Sequence, residues 1–130
     1  MCIDLVKTNK ITTAIEKRIQ ELNIQAAQEK IIVWLKEIGL EIDITLNNAI
    51  KFKLNSELGI CVVCKFFACR FEVIIDWKNF QGNWENFKDE LEFSIFNFGE
   101  AERELLENQI LNAIERCEYI TPLVGEKSKW

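Results

Sequence analysis

The fold of this chain is decided at residues 40–54, which read Leu-Glu-Ile-Asp-Ile-Thr-Leu-Asn-Asn-Ala-Ile-Lys-Phe-Lys-Leu. Apolar and polar side chains alternate in both halves of this stretch, as they do in a strand with one buried and one solvated face. Between the halves, Asn47 and Asn48 tolerate the positive φ angles of a tight turn. The stretch therefore predicts an antiparallel β-hairpin.

A helix is predicted on the N-terminal side of this hairpin, over residues 9–38, with Gly39 as its stop signal. Apolar side chains recur there every three or four residues, which places them on one face of the helix. At a rise of 1.5 Å per residue the helix would be about 45 Å long, which is long for a small domain. We therefore expect it either to break near Asn23 or to project and find a partner. The recurring residues are Ile11, Ile15, Ile19, Leu22 and Ala26.

Residues 60–77 follow the hairpin and are apolar at most odd and many even positions. This pattern is typical of central strands covered on both faces, and it fits either one long strand or two. Beyond them, apolar side chains spaced by three or four residues predict a helix from Trp84 to Phe98, with a strand over residues 92–96 as the alternative. A final helix is predicted over residues 100–118.

The order of these elements predicts an α+β fold built as a two-layer sandwich. It would contain a long N-terminal helix, an antiparallel sheet of three or four strands, and two C-terminal helices. The length of 130 residues fits a single domain, which we place at residues 1–121. Pro122 begins a short tail over residues 122–130, because proline cannot continue a helix.

Cysteine usage and the chain start indicate a reduced, cytoplasmic protein. The five cysteines are an odd number, whereas secreted disulfide scaffolds usually carry an even number. The start Met1-Cys2-Ile3-Asp4 lacks the basic and apolar regions of a signal peptide. Apolar runs of about five residues are too short to cross a membrane.

Composition excludes several kinds of functional site. The chain has no histidine, which excludes Ser-His-Asp and Cys-His catalysis and His-ligated zinc. Its five glycines are scattered singly, so the sequence contains no phosphate-binding loop. The net charge of −5 argues against nonspecific nucleic-acid binding. We expect no cofactor.

One chemical alternative is a Mg²⁺-dependent nuclease. Asp76-Trp77-Lys78 ends an apolar strand and has the (Asp/Glu)-x-Lys form, in which a carboxylate binds the metal and a lysine steadies the developing charge. Asp43 on a neighbouring predicted strand would supply the second carboxylate. The hypothesis requires the side chains of Asp43 and Asp76 to lie within about 5 Å of each other, near enough to share a metal ion.

A second alternative is a metal site formed by Cys61, Cys64 and Cys69, because thiolates two residues apart can share a zinc ion. The two residues between Cys61 and Cys64 are valines, which favour an extended strand. An extended strand turns Cys61 and Cys64 to opposite faces. We therefore expect these cysteines to act as small apolar residues of the core.

The main functional signal is a concentration of aromatic and acidic residues in the C-terminal half. Residues 81–120 carry a net charge of −7, whereas residues 1–80 are nearly neutral. Seven of the fourteen aromatic residues fall between Trp77 and Phe98. Exposed aromatic side chains beside carboxylates are typical of a surface that binds a basic protein. The predicted partner-binding residues are Phe93, Phe96, Phe98, Glu100, Glu102 and Glu104.

The sequence thus predicts a small, non-catalytic interaction protein of the chaperone, inhibitor or regulatory type. Its expected partner is a protein with a basic surface. A homodimer formed along the N-terminal helix is a further option. Neither membrane insertion nor direct nucleic-acid binding is expected, since the charges that surround the aromatic residues have the wrong sign for the latter.

Overall fold

A computed structural model describes residues 2–54 and 57–120 of the chain, with side chains described from residue 9 onward. Within these residues the chain forms two helices and six strands. In chain order they are α1 (Cys2–Glu37), β1 (Glu41–Thr45), β2 (Ala49–Lys53), β3 (Ile60–Phe67), β4 (Arg70–Lys78), β5 (Trp84–Asn86), β6 (Leu91–Ser94) and α2 (Glu100–Arg116).

The predicted hairpin is confirmed as β1 and β2, which pair antiparallel around Asn47 and Asn48. The predicted buried face is found in β2 but not in β1, whose residues are all exposed. Residues 60–77 form two strands, β3 and β4, joined by a tight turn at Ala68 and Cys69. All neighbours in the sheet are antiparallel, in the order β1-β2-β3-β4. The far edge of β4 is then shared, because β5 pairs with its C-terminal end and β6 with its N-terminal end.

Helix α1 is continuous from Cys2 to Glu37, so the alternative of a break near Asn23 is not observed. The predicted stop at Gly39 is confirmed. The Leu40 N–H donates to the Leu35 carbonyl at 3.0 Å, and the Gly39 N–H donates to the Lys36 carbonyl at 3.1 Å. This pair of bonds is the Schellman motif, in which the residue after the cap has a left-handed conformation. Gly39 accordingly has a φ of +112°.

The prediction of a helix over residues 84–98 is wrong, as is the prediction of two C-terminal helices and of only three or four strands. These residues form the short strands β5 and β6, and α2 is the single helix that the structure describes after the sheet. The alternative prediction of a strand over residues 92–96 overlaps the observed strand β6. Leu91 and Phe93 stand opposite Val73 and Phe71 of β4, so a period of two, not of three or four, sets their faces.

Both helices pack on one face of the sheet, which gives the predicted α+β arrangement of a helical layer on a sheet. The inner face carries Phe52, Val62 and Ile75, which lie opposite one another in neighbouring strands. They form one core cluster with Leu35 of α1 and Leu106 of α2. Pro122 and the predicted tail lie outside the described residues.

Candidate protein-interaction surface

The start of helix α2 is capped by one of its own side chains. The backbone N–H of Gly99 donates to the Oε1 atom of Glu102 at 3.0 Å, which satisfies one of the donors that a helix start leaves free. Glu100 and Glu102 in the first turn also favour the positive end of the helix dipole. One of the six predicted partner-binding residues, Glu102, is therefore used by the fold itself.

The outward face of α2 is acidic. Glu100, Glu104 and Glu107 are all exposed and spaced by four and three residues, so they lie on one face of the helix. We name these three residues the acidic ridge. Leu111, a further four residues on, continues the same face with its side chain 53% exposed. Among the described residues, no salt bridge engages a residue of the ridge.

Phe93 and Phe98 belong to the core, which corrects their predicted role as contact residues. The centroids of their rings are 5.2 Å apart, and each lies just over 5 Å from the ring of Phe71. Trp34 of α1 completes the cluster, with its ring 5.4 Å from Phe98. Phe93 and Phe98 are each 7% exposed, so neither can contact a partner in the folded protein. Their burial follows from β6, which the predicted helix did not include.

Phe96 is the predicted aromatic residue that does reach the surface, with 53% of its side chain exposed. It lines an open groove of about 770 Å³ between α1 and residues 95–103. The groove has an apolar floor, to which Ile31 and Phe98 contribute, and cationic side chains from Lys30 and Arg103. Of the six predicted partner-binding residues, Phe96, Glu100 and Glu104 are therefore the ones that stay exposed and are not used by the fold itself.

Arg103 is held against aromatic rings at the edge of the groove. Its guanidinium carbon lies 5.7 Å from the ring centroid of Trp34 and 5.9 Å from that of Phe98. Its Nε atom is buried and has no hydrogen-bond partner among the described residues. Arg103 stabilises the seam between α1 and α2 through these cation–π contacts. Sequence reasoning missed it because Trp34 is distant in the chain and because the predicted helix did not bring Phe98 against Arg103.

The carboxylates of the nuclease hypothesis lie in strands that are not neighbours. Asp43 is in β1 and Asp76 is in β4, with β2 and β3 between them. At about 4.8 Å per strand spacing the backbones of β1 and β4 lie about 14 Å apart, whereas the hypothesis requires the two carboxylates to lie within about 5 Å of each other. Lys78 lies 4.9 Å from the ring centroids of both Trp84 and Tyr119, so its ammonium group packs between aromatic rings.

The three cysteines of the metal hypothesis are dispersed. Cys61 lies on the outer face of β3, Cys64 lies on its inner face in the core, and Cys69 is exposed in the following turn. Within residues 2–54 and 57–120, no three cysteine or carboxylate side chains are grouped so that they could hold a metal ion.

Burial also makes Cys61 and Cys64 poor ligands and poor nucleophiles. It raises the pKa of the Cys64 thiol to about 12 and that of Cys61 to about 11. For Cys61, the positive charge of Lys51 opposes this rise, and the negative charges of Asp76 and Asp43 add to it. Both thiols therefore stay neutral at physiological pH, and only a thiolate attacks or binds metal well.

Glu107 and Leu111 are the surface residues that the predicted site did not include. Their signal is present in the sequence, because Glu100, Glu104, Glu107 and Leu111 recur every three or four residues. A run of glutamates is ordinarily a solvated helix face, and in this one Leu111 is exposed among them.

No helix in the described part of the chain is long and apolar enough to cross a membrane. Comparison of the chain with protein-family models, with curated proteins and with solved structures finds no match.

Proposed function

We propose that this chain is a non-catalytic interaction protein that binds a basic protein partner through the acidic ridge of α2. Phe96 and Leu111 would provide apolar contacts beside the carboxylates. The observation that carries the proposal is the exposure of Glu100, Glu104 and Glu107 on one helix face with no salt bridge to them among the described residues.

Charge of this kind acts mainly on the encounter with a partner. A surface of one sign raises the rate of association with a surface of the opposite sign, and it repels partners of the same sign. The apolar side chains then decide how long the complex lasts, because buried apolar and aromatic groups carry most of the binding energy at interfaces. Exposed Phe96 and Leu111 fit that second role.

We further propose that the protein works in a reducing compartment, the cytoplasm. The described cysteines Cys61, Cys64, Cys69 and Cys117 are all free thiols. Disulfides are common in secreted proteins and rare in the cytoplasm, so unpaired cysteines of this number favour the reducing compartment.

The proposal is tested by comparing proteins captured by the wild type and by a ridge variant, Glu100→Gln/Glu104→Gln/Glu107→Gln. Glu102 stays unchanged because it caps the helix. The wild type should enrich a basic protein from a lysate of the source cells at low salt, and the ridge variant should lose it. The amount captured should fall as the salt concentration rises, because salt screens exposed charges.

The matched control is Glu21→Gln/Glu37→Gln/Glu41→Gln, which removes the same charge from exposed positions in α1 and β1. It should retain the partner. Equal loss in both variants would show that net charge alone matters and would contradict a specific surface on α2. Retention by both variants would contradict the proposal outright.

A further inference from the structure

The N-terminal part of α1 has no packing partner within the described residues. Every side chain from residue 9 to residue 23 is exposed, and α1 first packs against the core at Ile24. Four of the exposed side chains are large and aliphatic, and their exposed fractions run from 61% at Ile11 to 46% at Leu22. Val33, in the part that packs on the sheet, is also exposed. The exposed aliphatic residues are Ile11, Ile15, Ile19, Leu22 and Val33.

These side chains form one continuous stripe. At 100° per residue they fall within an arc of about 80°, on the side of α1 opposite to Ile31 and Leu35. The spacing of Ile15, Ile19, Leu22 and Ala26 is four, three and four residues, which is the a/d spacing of a coiled coil. We name the residues from Ile11 to Val33 on this arc the α1 stripe.

A helix with such an exposed stripe is only weakly stabilised when its apolar face is in contact with water. Most of the stability of a helix in a protein comes from the packing of its apolar face and not from its intrinsic propensity. The stripe would bury its aliphatic side chains only against another molecule or another part of the chain.

We propose that a second copy of this chain covers the α1 stripe, as an antiparallel helix pair centred near residues 23 and 24. The charges beside the stripe favour this occupant and this direction. Glu16 and Lys30 flank the stripe on the same side, at equal distances from Asn23 in sequence. In an antiparallel pair, Glu16 of each copy therefore lies beside Lys30 of the other, and the pair contains two such contacts.

One further pair of opposite charges is consistent with this alignment. Glu29, at the edge of the stripe, is brought level with Arg18 of the second copy, which within its own chain pairs with Glu21 at 3.3 Å. A parallel pair would not form the contact between Glu16 and Lys30, because it sets residues of equal number at the same height, and it would bring together the two C-terminal blocks, each with a net charge of −7. The antiparallel pair holds those blocks at opposite ends. The test of this inference, the oligomeric state, does not depend on the partner proposed for α2, although Glu16, Ile19 and Lys30 line the same groove as Phe96.

The most direct test joins carboxylates to amines with a zero-length cross-linker and maps the products by mass spectrometry. Within one chain, Glu16 and Lys30 are separated by fourteen residues of helix, about 21 Å, which such a link cannot span. A Glu16–Lys30 cross-link would therefore join two copies. We expect this link in the dimer fraction, together with a dimer mass in sedimentation equilibrium.

Charge reversal tests the alignment. Glu16→Lys and Lys30→Glu should each weaken self-association about tenfold, because each exchanges two attractions for two repulsions in the dimer. The double variant Glu16→Lys/Lys30→Glu should recover most of the affinity, since it restores both attractions in reverse. Lys17→Glu makes the same charge change as Lys30→Glu on another side of α1, and it should leave the dimer unchanged.

Leu22→Glu tests the stripe itself and should give a folded monomer, because Leu22 lies outside the core. The circular-dichroism spectrum of the variant should still show the helix and strand content of a folded protein. The proposal is overturned if the wild type is a monomer at every concentration, or if Leu22→Glu leaves the dimer intact. It is also overturned if the double variant Glu16→Lys/Lys30→Glu loses as much affinity as the two single variants together. The proposal is also overturned if the protein is a monomer and a different protein covers the α1 stripe.

Discussion

Gly39 shows how a single backbone angle ends the longest element of the protein. Its φ of +112° lies in the region that L-residues avoid, and it allows the two bonds that close α1. These bonds turn the chain so that Leu40 is buried, 2% exposed, beside Leu35. The hairpin β1–β2 then follows directly from the end of the helix.

Replacing Gly39 with alanine should lower the free energy of unfolding by about 1 kcal/mol. A Cβ atom at this position would have no neighbour within 4 Å, so the cost is backbone strain and not a clash. Urea denaturation measures the change. Gly39→Asn should cost less, since asparagine adopts positive φ more readily. If the free energy of unfolding of Gly39→Ala equals that of the wild type, the turn tolerates a side chain at this position.

The buried thiols predict a loss of stability at alkaline pH. The folded-state pKa values of Cys61 and Cys64, about 11 and about 12, lie above the ordinary value of 9.0. Below pH 9 both thiols are neutral in the folded and the unfolded chain, so their contribution is constant. As the pH rises from 9 through the folded-state pKa values, ionisation favours the unfolded chain and that contribution is lost.

Urea titrations between about pH 8 and about pH 11 test this linkage, with Cys61→Ala/Cys64→Val as the control. The control removes the two buried thiols and leaves the lysines, so its stability should fall less steeply above pH 9. Equal slopes for the control and the wild type would mean that neither thiol contributes.

At the scale of elements, β6 and the turn after it divide the C-terminal aromatic residues between core and surface. Phe93 lies in β6 opposite Phe71, and Phe98 packs on the same ring. Phe96 points away and is exposed. The six residues from Phe93 to Phe98 therefore contain two aromatic residues of the core and one of the surface.

Phe71→Ala should lower the free energy of unfolding by about 3–5 kcal/mol, because the Phe71 ring is fully buried and contacts three other rings. Phe96→Ala, which removes the same atoms from the surface, should change stability by no more than about 0.5 kcal/mol. Chemical denaturation of both variants checks the contrast. A Phe96 variant as unstable as the Phe71 variant would place Phe96 in the core and remove it from the interaction surface.

The hairpin β1–β2 could be predicted from sequence because its evidence is local. Alternation and the Asn47–Asn48 turn specify both strands within fifteen residues. Residues 84–98 could not be assigned in the same way. Trp84, Phe87 and Leu91 satisfy a helical period, and what makes this segment two strands is pairing with the free edge of β4, which the periodicity within the segment does not reveal. At 100° per residue, Phe93 falls on the side of such a helix opposite to Trp84 and Leu91, and this is the sign in the sequence that the segment is not one helix.

The candidate site could be predicted only in part, because its charge is read from the sequence and its burial is not. Net charge and the positions of Glu100 and Glu104 are properties of the sequence, and they indicated an acidic surface. Burial is a property of the fold, and it removed Phe93 and Phe98 from that surface. The groove beside Phe96 forms between α1 and residues 95–103, so no local pattern indicated it.

At the scale of the whole molecule, the exposed features fall on different parts of the fold. The acidic ridge lies on α2, and the α1 stripe extends beyond the core along the other helix. The open edge of the sheet at β1 offers a third surface, but the register shifts at Asp43, and a bulge of this kind with an inserted charge discourages pairing with another strand. The ridge and the stripe could therefore be occupied at the same time.

The measurement that most directly tests the central claim is the binding of the purified partner to the wild type and to the ridge variant at several salt concentrations. The account predicts that Glu100→Gln/Glu104→Gln/Glu107→Gln lowers the association rate at least about tenfold at low salt and flattens its salt dependence. The control Glu21→Gln/Glu37→Gln/Glu41→Gln should bind as the wild type does. Identical association rates for the wild type and the ridge variant would contradict the claim that α2 is the interaction surface.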